Sequence, residues 1–432
     1  MMGVLRDLRD LAVHADFRKL FTIRLVSQCG DGMFQIGLAT LFFFSPQNMA
    51  TATGVASAFA VLLLPFTVVG PFAGPLLDRW QRRQVLLIGN ALRVPLTLAL
   101  AILMTTSGVS LAVYVLALLT LGINRFLLAA LSAALPRVVP REQLLIANTL
   151  TPTLGAVAAV VGAVIGLLAG AVDWGALGVA MLFFGCASLL ALRLGRDQLG
   201  PSTDAQAVPM SRQLAATVGK LVDGARYLVR RGTPALALGA MSVHRFLYGA
   251  NFIALILMSR NLLSDPANTS QGLATFATLA GLSFVGNGAA IVLTPLAHER
   301  MRPSRWVVVC LGIGALSQLL LLPTPRWVIV AVSAVLLGLS VQGAKIAVDT
   351  IVHRDTHDDY RGRAFSLYDV AYNAAFVGAA ALAALALPDV GWSRPVFGGL
   401  AAVYVLLGLG YARATHALGD EPRAVRGGNL TP

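Results

Sequence analysis

The sequence predicts an all-α integral membrane protein with twelve transmembrane helices in two six-helix bundles. Three observations carry this. The 432 residues are 57% hydrophobic and only 12% charged, too little polar surface to cover water-soluble domains of this length. Apolar runs of about 20 residues, the length needed to cross a hydrocarbon layer, recur from end to end. The pattern also repeats across the middle of the chain.

Taken in order, the spans are expected near 18–44, 52–76, 84–106, 110–134, 148–171, 175–193, 234–258, 272–296, 305–322, 327–350, 364–388 and 395–413. Short alternating segments, the mark of a membrane β-barrel, are not the pattern here. Residues 1–193 form the expected N-terminal bundle, 194–233 a linker, 234–413 the C-terminal bundle and 414–432 a tail. The linker opens Gly-, Pro- and Ser-rich. It then places Leu214, Val218, Leu221, Val222, Ala225 and Leu228 at helical spacing, which predicts an amphipathic helix with Ser211 as a candidate N-cap.

Basic residues gather in alternate loops. Arg6, Arg9, Arg18 and Lys19 lie at the N-terminus, up to the first residues of the first span, and Arg79, Arg82 and Arg83 follow the second. Arg137 and Arg141, the linker, Arg300 and Arg302, Arg361 and Arg363, and the tail fall on the same side. The positive-inside rule places that side, and both termini, in the cytoplasm. The net charge of +13 is then a topological signal and an affinity for anionic membrane lipids, not for nucleic acid, which needs a soluble basic domain. No small-residue cleavage site follows an early apolar run, so no removable signal peptide is expected. Cys29, Cys186 and Cys310 all fall within spans, an odd set that suits core-filling thiols better than disulfides or a metal site.

The two halves echo each other. GPLLDRWQRRQVLL follows the second span and TPLAHERMRPSRWVV the eighth, aligning Leu76 with Leu296, Asp78 with His298 and Arg82 with Arg302. LPRVVPREQLLIAN after the fourth span likewise corresponds to HRDTHDDYRGRAF after the tenth. Such repeats mark transporters built from related bundles around a midplane site.

The first of these stretches resembles motif A of the major facilitator superfamily, with Gly74, Leu76, Asp78, Arg79, Arg82 and Arg83 in register and Gln81 where that pattern has glycine. The resemblance implies the major facilitator fold, with Asp78 and its basic neighbours latching the cytoplasmic side against the start of the eleventh span. IRLVSQCGDGMFQIGL, LPRVVPREQLLIAN and RGRAFSLYD are similar to stretches of the enterobactin-exporter and macrolide-efflux branch. Gly155, Gly162, Gly166 and Gly170 echo motif C of drug/proton antiporters without its proline, and they equally suit close helix packing.

Ionisable residues inside spans are costly and mark candidate sites. Asp31, His244 and Asp349 are candidates for proton coupling; Arg93, Arg125, Arg245 and Lys345 are candidates for a substrate cavity. Asp31 is either a proton carrier or a fixed partner of Arg24 or Arg245. Lys345 and Asp349, at i,i+4 spacing, suit mutual neutralisation. Arg24 and Asp369, nearer span ends, suit snorkelling. Four cations against two acids imply an anionic or zwitterionic substrate. GLSVQGAK lacks the ending of a phosphate loop, and His353, Asp355, His357, Asp358 and Asp359 suit a solvated loop.

The expected function is secondary active transport, a proton-coupled exporter of amphipathic small molecules in the bacterial plasma (inner) membrane. It is expected to act as a monomer, with no cofactor, metal or enzymatic activity. Alternatives are a lipid or lysolipid translocator, a siderophore exporter, and a transport-inactive scaffold whose linker binds a partner.

Overall fold

The computed structural model describes residues 9–43, 51–58, 77, 80–169, 175–200 and 210–419. Every regular element among them is helical. We number these α1 (Ala15–Phe43), α2 (residues 52–58), α3 (Arg82–Ser107), α4 (Leu111–Ala134), α5 (Leu144–Ala169), α6 (Gly175–Ala191) and α7 (Met210–Arg231). Then come α8 (Thr233–Asn261), α9 (Thr269–Arg300), α10 (Pro303–Leu321), α11 (Trp327–Asp355), α12 (Asp358–Ala386) and α13 (Arg394–Leu418). Among the described residues nine helices are long and apolar enough to cross a membrane, with α6 a shorter apolar one. α1 is long enough, but Arg18, Lys19, Arg24, Ser27, Gln28, Asp31 and Gln35 dilute its apolar character. Most of the second expected span, with Gly74, Asp78 and Arg79 of the motif, lies outside the described residues.

The surface is inverted relative to a water-soluble protein. Val157, Val160, Val164 and Leu168 on α5, Leu182 and Leu189 on α6, and Phe284 and Val285 on α9 are all exposed, as lipid solvent allows. Cys186 faces outward with them, while Cys29 and Cys310 are buried, so only two of the three thiols fill a core.

The described helices fall into two compact units: α1 and α3–α6 in the first, α2 and α8–α13 in the second, with the division inside α7. Within the first unit α1 packs on α5 through glycine. A Cβ on Gly32 would strike the Ala159 carbonyl, and one on Gly162 would strike the Cys29 carbonyl. The second unit interlocks α9 and α11 the same way, Gly286 against the Val335 carbonyl and Gly338 against the Ser283 carbonyl. Small residues let backbones meet where lipid supplies no hydrophobic drive.

Among the described residues the linker helix runs from Met210, so Ser211 lies within it instead of capping it. The acidic segment expected as a loop is mostly helix: His353–Asp355 ends α11, Asp358 and Asp359 open α12, and only Thr356 and His357 lie between.

Candidate substrate and coupling site

The first unit resolves the partner of Asp31. Its carboxylate forms an ion pair with Arg93 of α3, both side chains buried. Arg93 also reaches Ser27 Oγ at 3.4 Å, Ser27 donates to Asn90 Oδ1 at 3.0 Å, and the guanidinium lies 3.6 Å from the Phe184 ring centroid. Gly30 leaves the room for Phe184, since a Cβ there would sit 2.8 Å from its ring. The expected partners Arg24 and Arg245 therefore give way to Arg93, which α1, α3 and α6 enclose.

Arg24 corrects the snorkelling expectation. It is 5% exposed, its Nε donates to Gln28 Oε1 at 3.1 Å, and its Nη1 is buried without a hydrogen-bond partner. Gly155 of α5 makes room for this pair. Arg125 on α4 is half-buried.

Of the described motif residues, Arg82 and Arg83 hold their own unit together. Arg82 Nη1 donates to the carbonyls of Ala133 and Leu199, both at 2.9 Å, and Arg83 Nη2 reaches the Leu192 carbonyl at 3.4 Å. They tie the start of α3 to the end of α4 and the segment after α6.

In the second unit His244 is fully buried between two hydroxyls. Ser340 donates to the Cys310 carbonyl at 2.6 Å, so its oxygen accepts from His244 Nε2 at 3.1 Å; the free Nδ1 then accepts from Tyr404 at 3.0 Å. This chain satisfies a neutral imidazole with one defined tautomer.

Arg245, next in sequence, faces elsewhere. Its guanidinium carbon lies 4.3 Å from the Tyr372 ring centroid, 4.4 Å from Phe376 and 5.1 Å from Tyr248, and its Nε is buried with no hydrogen-bond partner. Tyr368 and Tyr372 stand one turn apart on α12, centroids 5.5 Å apart, and lead from Arg245 to Lys345, 5.9 Å from the Tyr368 ring. Lys345 Nζ pairs with Asp349 Oδ2 at 2.6 Å, as the i,i+4 spacing predicts, and the pair is about one-third exposed. Asp349 Oδ1 and the Tyr368 hydroxyl are buried without partners. Asp369 is exposed on α12. A half-open cluster of two cations, one acid, four aromatic rings and three unpartnered polar atoms is thus assembled from α8, α11 and α12.

The chain is 34% identical over 407 residues to an uncharacterised MFS-type transporter of Mycobacterium tuberculosis, and equally to one of Mycobacterium bovis, covering 92% of this chain and 89% of each relative. It belongs to the major facilitator superfamily. No family model matches. Among solved structures of this fold it is similar to a peptide transporter POT, with TM-score 0.68, 14% identity and coverage of 93% of this chain and 95% of that one. It is also similar to the nucleoside transporter NupG, with TM-score 0.64, 14% identity and coverage of 92% and 98%. This facilitator is a multi-pass membrane transporter and not an enzyme.

Aromatic spacing is what the sequence reading missed. Tyr368, Tyr372 and Phe376 recur every four residues in SLYDVAYNAAF, a stripe that lines one helix face. Arg24 was visible as a charge, but its burial depends on Gly155, 131 positions away.

Proposed function

We propose that this facilitator exports amphipathic anions or zwitterions by alternating access coupled to protons, with Arg245 gripping the anionic group and Lys345–Asp349 carrying the coupling. The observation behind this is the Arg245 guanidinium, held by three rings with its Nε unpartnered. A cation kept partly out of water without an acid is costly, and an arriving carboxylate, phosphate or phenolate supplies the missing partner. The rings offer the apolar body of an amphiphile its own surface. Lys345 can hold either Asp349 or the substrate anion. Asp349, whose Oδ1 has no partner, is the acid that exchanges the proton.

Asp31 and His244, also candidates for coupling, are better accounted for as structural groups, because each is fully buried beside its own partner, Asp31 against Arg93 with its Oδ2 left unpartnered and His244 between Ser340 and Tyr404. Arg93 goes with Asp31, while Arg125 stays a cavity candidate on α4. The reading includes a monomer in the bacterial plasma membrane with both termini cytoplasmic. It also includes bundles at 1–193 and 234–413, a latch built on Gly74, Asp78 and Arg79, and kinship with the enterobactin-exporter and macrolide-efflux branch.

Proteoliposomes test it. Binding of matched anionic and cationic amphiphiles should favour the anion, and Arg245→Gln should weaken anion binding about tenfold, the scale of one charge-assisted hydrogen bond, while sparing the cation. Asp349→Asn should keep exchange without a gradient and lose gradient-driven accumulation. Tighter cation binding that survives Arg245→Gln sinks the substrate assignment, and full accumulation by Asp349→Asn sinks the coupling assignment.

A further inference from the structure

The linker helix α7 has three faces. The inner face docks on the second unit: Leu228 is buried, Gly224 lets the Arg363 Cβ approach, and Tyr227 stacks on Tyr360 with centroids 4.0 Å apart and planes within 6°. Tyr227 also accepts the His357 backbone N–H at 3.1 Å, and Arg231 Nε donates to the Asp355 carbonyl at 3.0 Å. This fixes the helix against the corner between α11 and α12. The second face is an exposed apolar stripe, Val218 (46% exposed), Val222 (42%) and Val229 (69%), which helical spacing places in line. The third runs beside that stripe and carries exposed Arg226 and Arg230. Across the whole helix Arg212, Lys220, Arg226, Arg230 and Arg231 face a lone acid, Asp223.

A water-facing helix needs no valine stripe, and a helix buried in protein needs no arginine edge. A bilayer surface accommodates both, valines among the acyl-chain ends and arginines among phosphates. We propose that α7 is a docking surface for the anionic headgroups of the membrane, the valine stripe entering the interface and Arg226 and Arg230 holding lipid phosphates. This rests on the reading that places the linker on the cytoplasmic face. Arg226 and Arg230 along the edge of the apolar stripe, on a helix with five cations to one acid, select a lipid surface over an apolar protein groove.

Hydrogen–deuterium exchange on the full chain in nanodiscs tests it without any substrate, so its failure and that of the transport reading are separable. Amides of residues 218–231 should exchange roughly tenfold more slowly in phosphatidylcholine mixed with phosphatidylglycerol than in phosphatidylcholine alone. Arg226→Gln with Arg230→Gln should abolish the difference, as should high salt. Val222→Asn with Val229→Asn should raise exchange in both bilayers. Unchanged exchange in α8–α13 verifies that each variant is folded. Equal exchange of residues 218–231 in the two bilayers, or a lipid difference that persists without both arginines, would overturn the proposal.

Discussion

The helix pairs α1·α5 and α8·α12 occupy the same places in the two halves of the repeat, yet they are built oppositely. In the first unit Gly155, Gly162 and Gly166 bring α5 against the backbone and side chains of α1, leaving no room for a methyl group. In the second unit α8 and α12 meet through Arg245, Tyr248, Tyr372 and Phe376, with Gly249 making room for Ala379 and Phe376. One pair is a glycine zipper closed over Arg24 and Gln28; the other holds a cation among rings in a half-open cluster. A repeat supplies two equivalent seams, each with an arginine that carries an unpartnered nitrogen; Arg24 is 5% exposed and closed in, and the half-open seam around Arg245 is the one we assign to a ligand.

The same contrast holds for the buried polar centres. Arg93, Asp31 and Phe184 tie together α3, α1 and α6 of one unit, and His244, Ser340 and Tyr404 join α8, α11 and α13 of the other. Charge in one and neutrality in the other predict unequal costs. Arg93→Ala strands a buried carboxylate and should cost about 3–5 kcal/mol, whereas His244→Leu leaves one neutral hydroxyl, that of Tyr404, without its acceptor while Ser340 keeps the Cys310 carbonyl, and should cost about 1–3 kcal/mol. Replacing both Asp31 and Arg93 with apolar residues should recover most of the first loss. Thermal unfolding in one detergent ranks the variants, and equal losses for Arg93→Ala and His244→Leu would erase the distinction between the centres.

Next in size is the zipper itself. Gly162→Ala places a methyl group on the Cys29 carbonyl, so α1 and α5 must part, at a cost of about 1–3 kcal/mol despite alanine's better helix propensity. Gly122 of α4 has nothing within reach of an added Cβ, so Gly122→Ala should be neutral or mildly stabilising. A Gly162→Ala protein as stable as Gly122→Ala would mean the seam gives way freely, and the comparison with α8·α12 would lose its basis.

These particulars also explain what could be read from the sequence. The all-helical membrane fold was legible because spans announce themselves by length and apolarity within a single stretch, and Lys345–Asp349 because its partners are one turn apart. Asp31 and Arg93 were both recognised as candidates, but their pairing joins residues 62 positions apart, which spacing on one helix cannot reveal. Arg24 was taken for a snorkelling residue because its distance from the span end is local information, while its burial is not. The tyrosine stripe of α12 was local and could have been found by the periodicity that located the linker helix; among so many apolar residues, aromatic character was the signal to follow.

The smallest effect separates the two units at the ends that carry the basic loops. The second is tied by Asp355, 1% exposed, which accepts from Thr233 Oγ1 at 2.7 Å and from Arg354 Nε at 2.6 Å. The first relies on backbone carbonyls held by Arg82 and on exposed polar contacts, Gln81 to Asp197 at 3.2 Å and Lys19 to Asp16 at 3.0 Å. Asp16 is held below the ordinary carboxylate value, first by its hydrogen bond with Gln198 and then by Lys19. A depressed folded value means its contribution is fully present above the unfolded pKa, near 3.9, and is lost as pH falls through the folded one. Because the carboxylate is 41% exposed, solvent screens the contribution to about 0.2–0.5 kcal/mol. Asp16→Asn should therefore trail the parent slightly at neutral pH and converge with it as pH falls through the lowered folded value of Asp16. Asp355→Asn, losing charge-assisted bonds in a buried site, should cost about 1.5–3 kcal/mol at neutral pH. Melting curves of both variants across that range decide the matter: an Asp16→Asn deficit as large as that of Asp355→Asn would show that the exposed contacts, not the arginine-held carbonyls, secure the first unit.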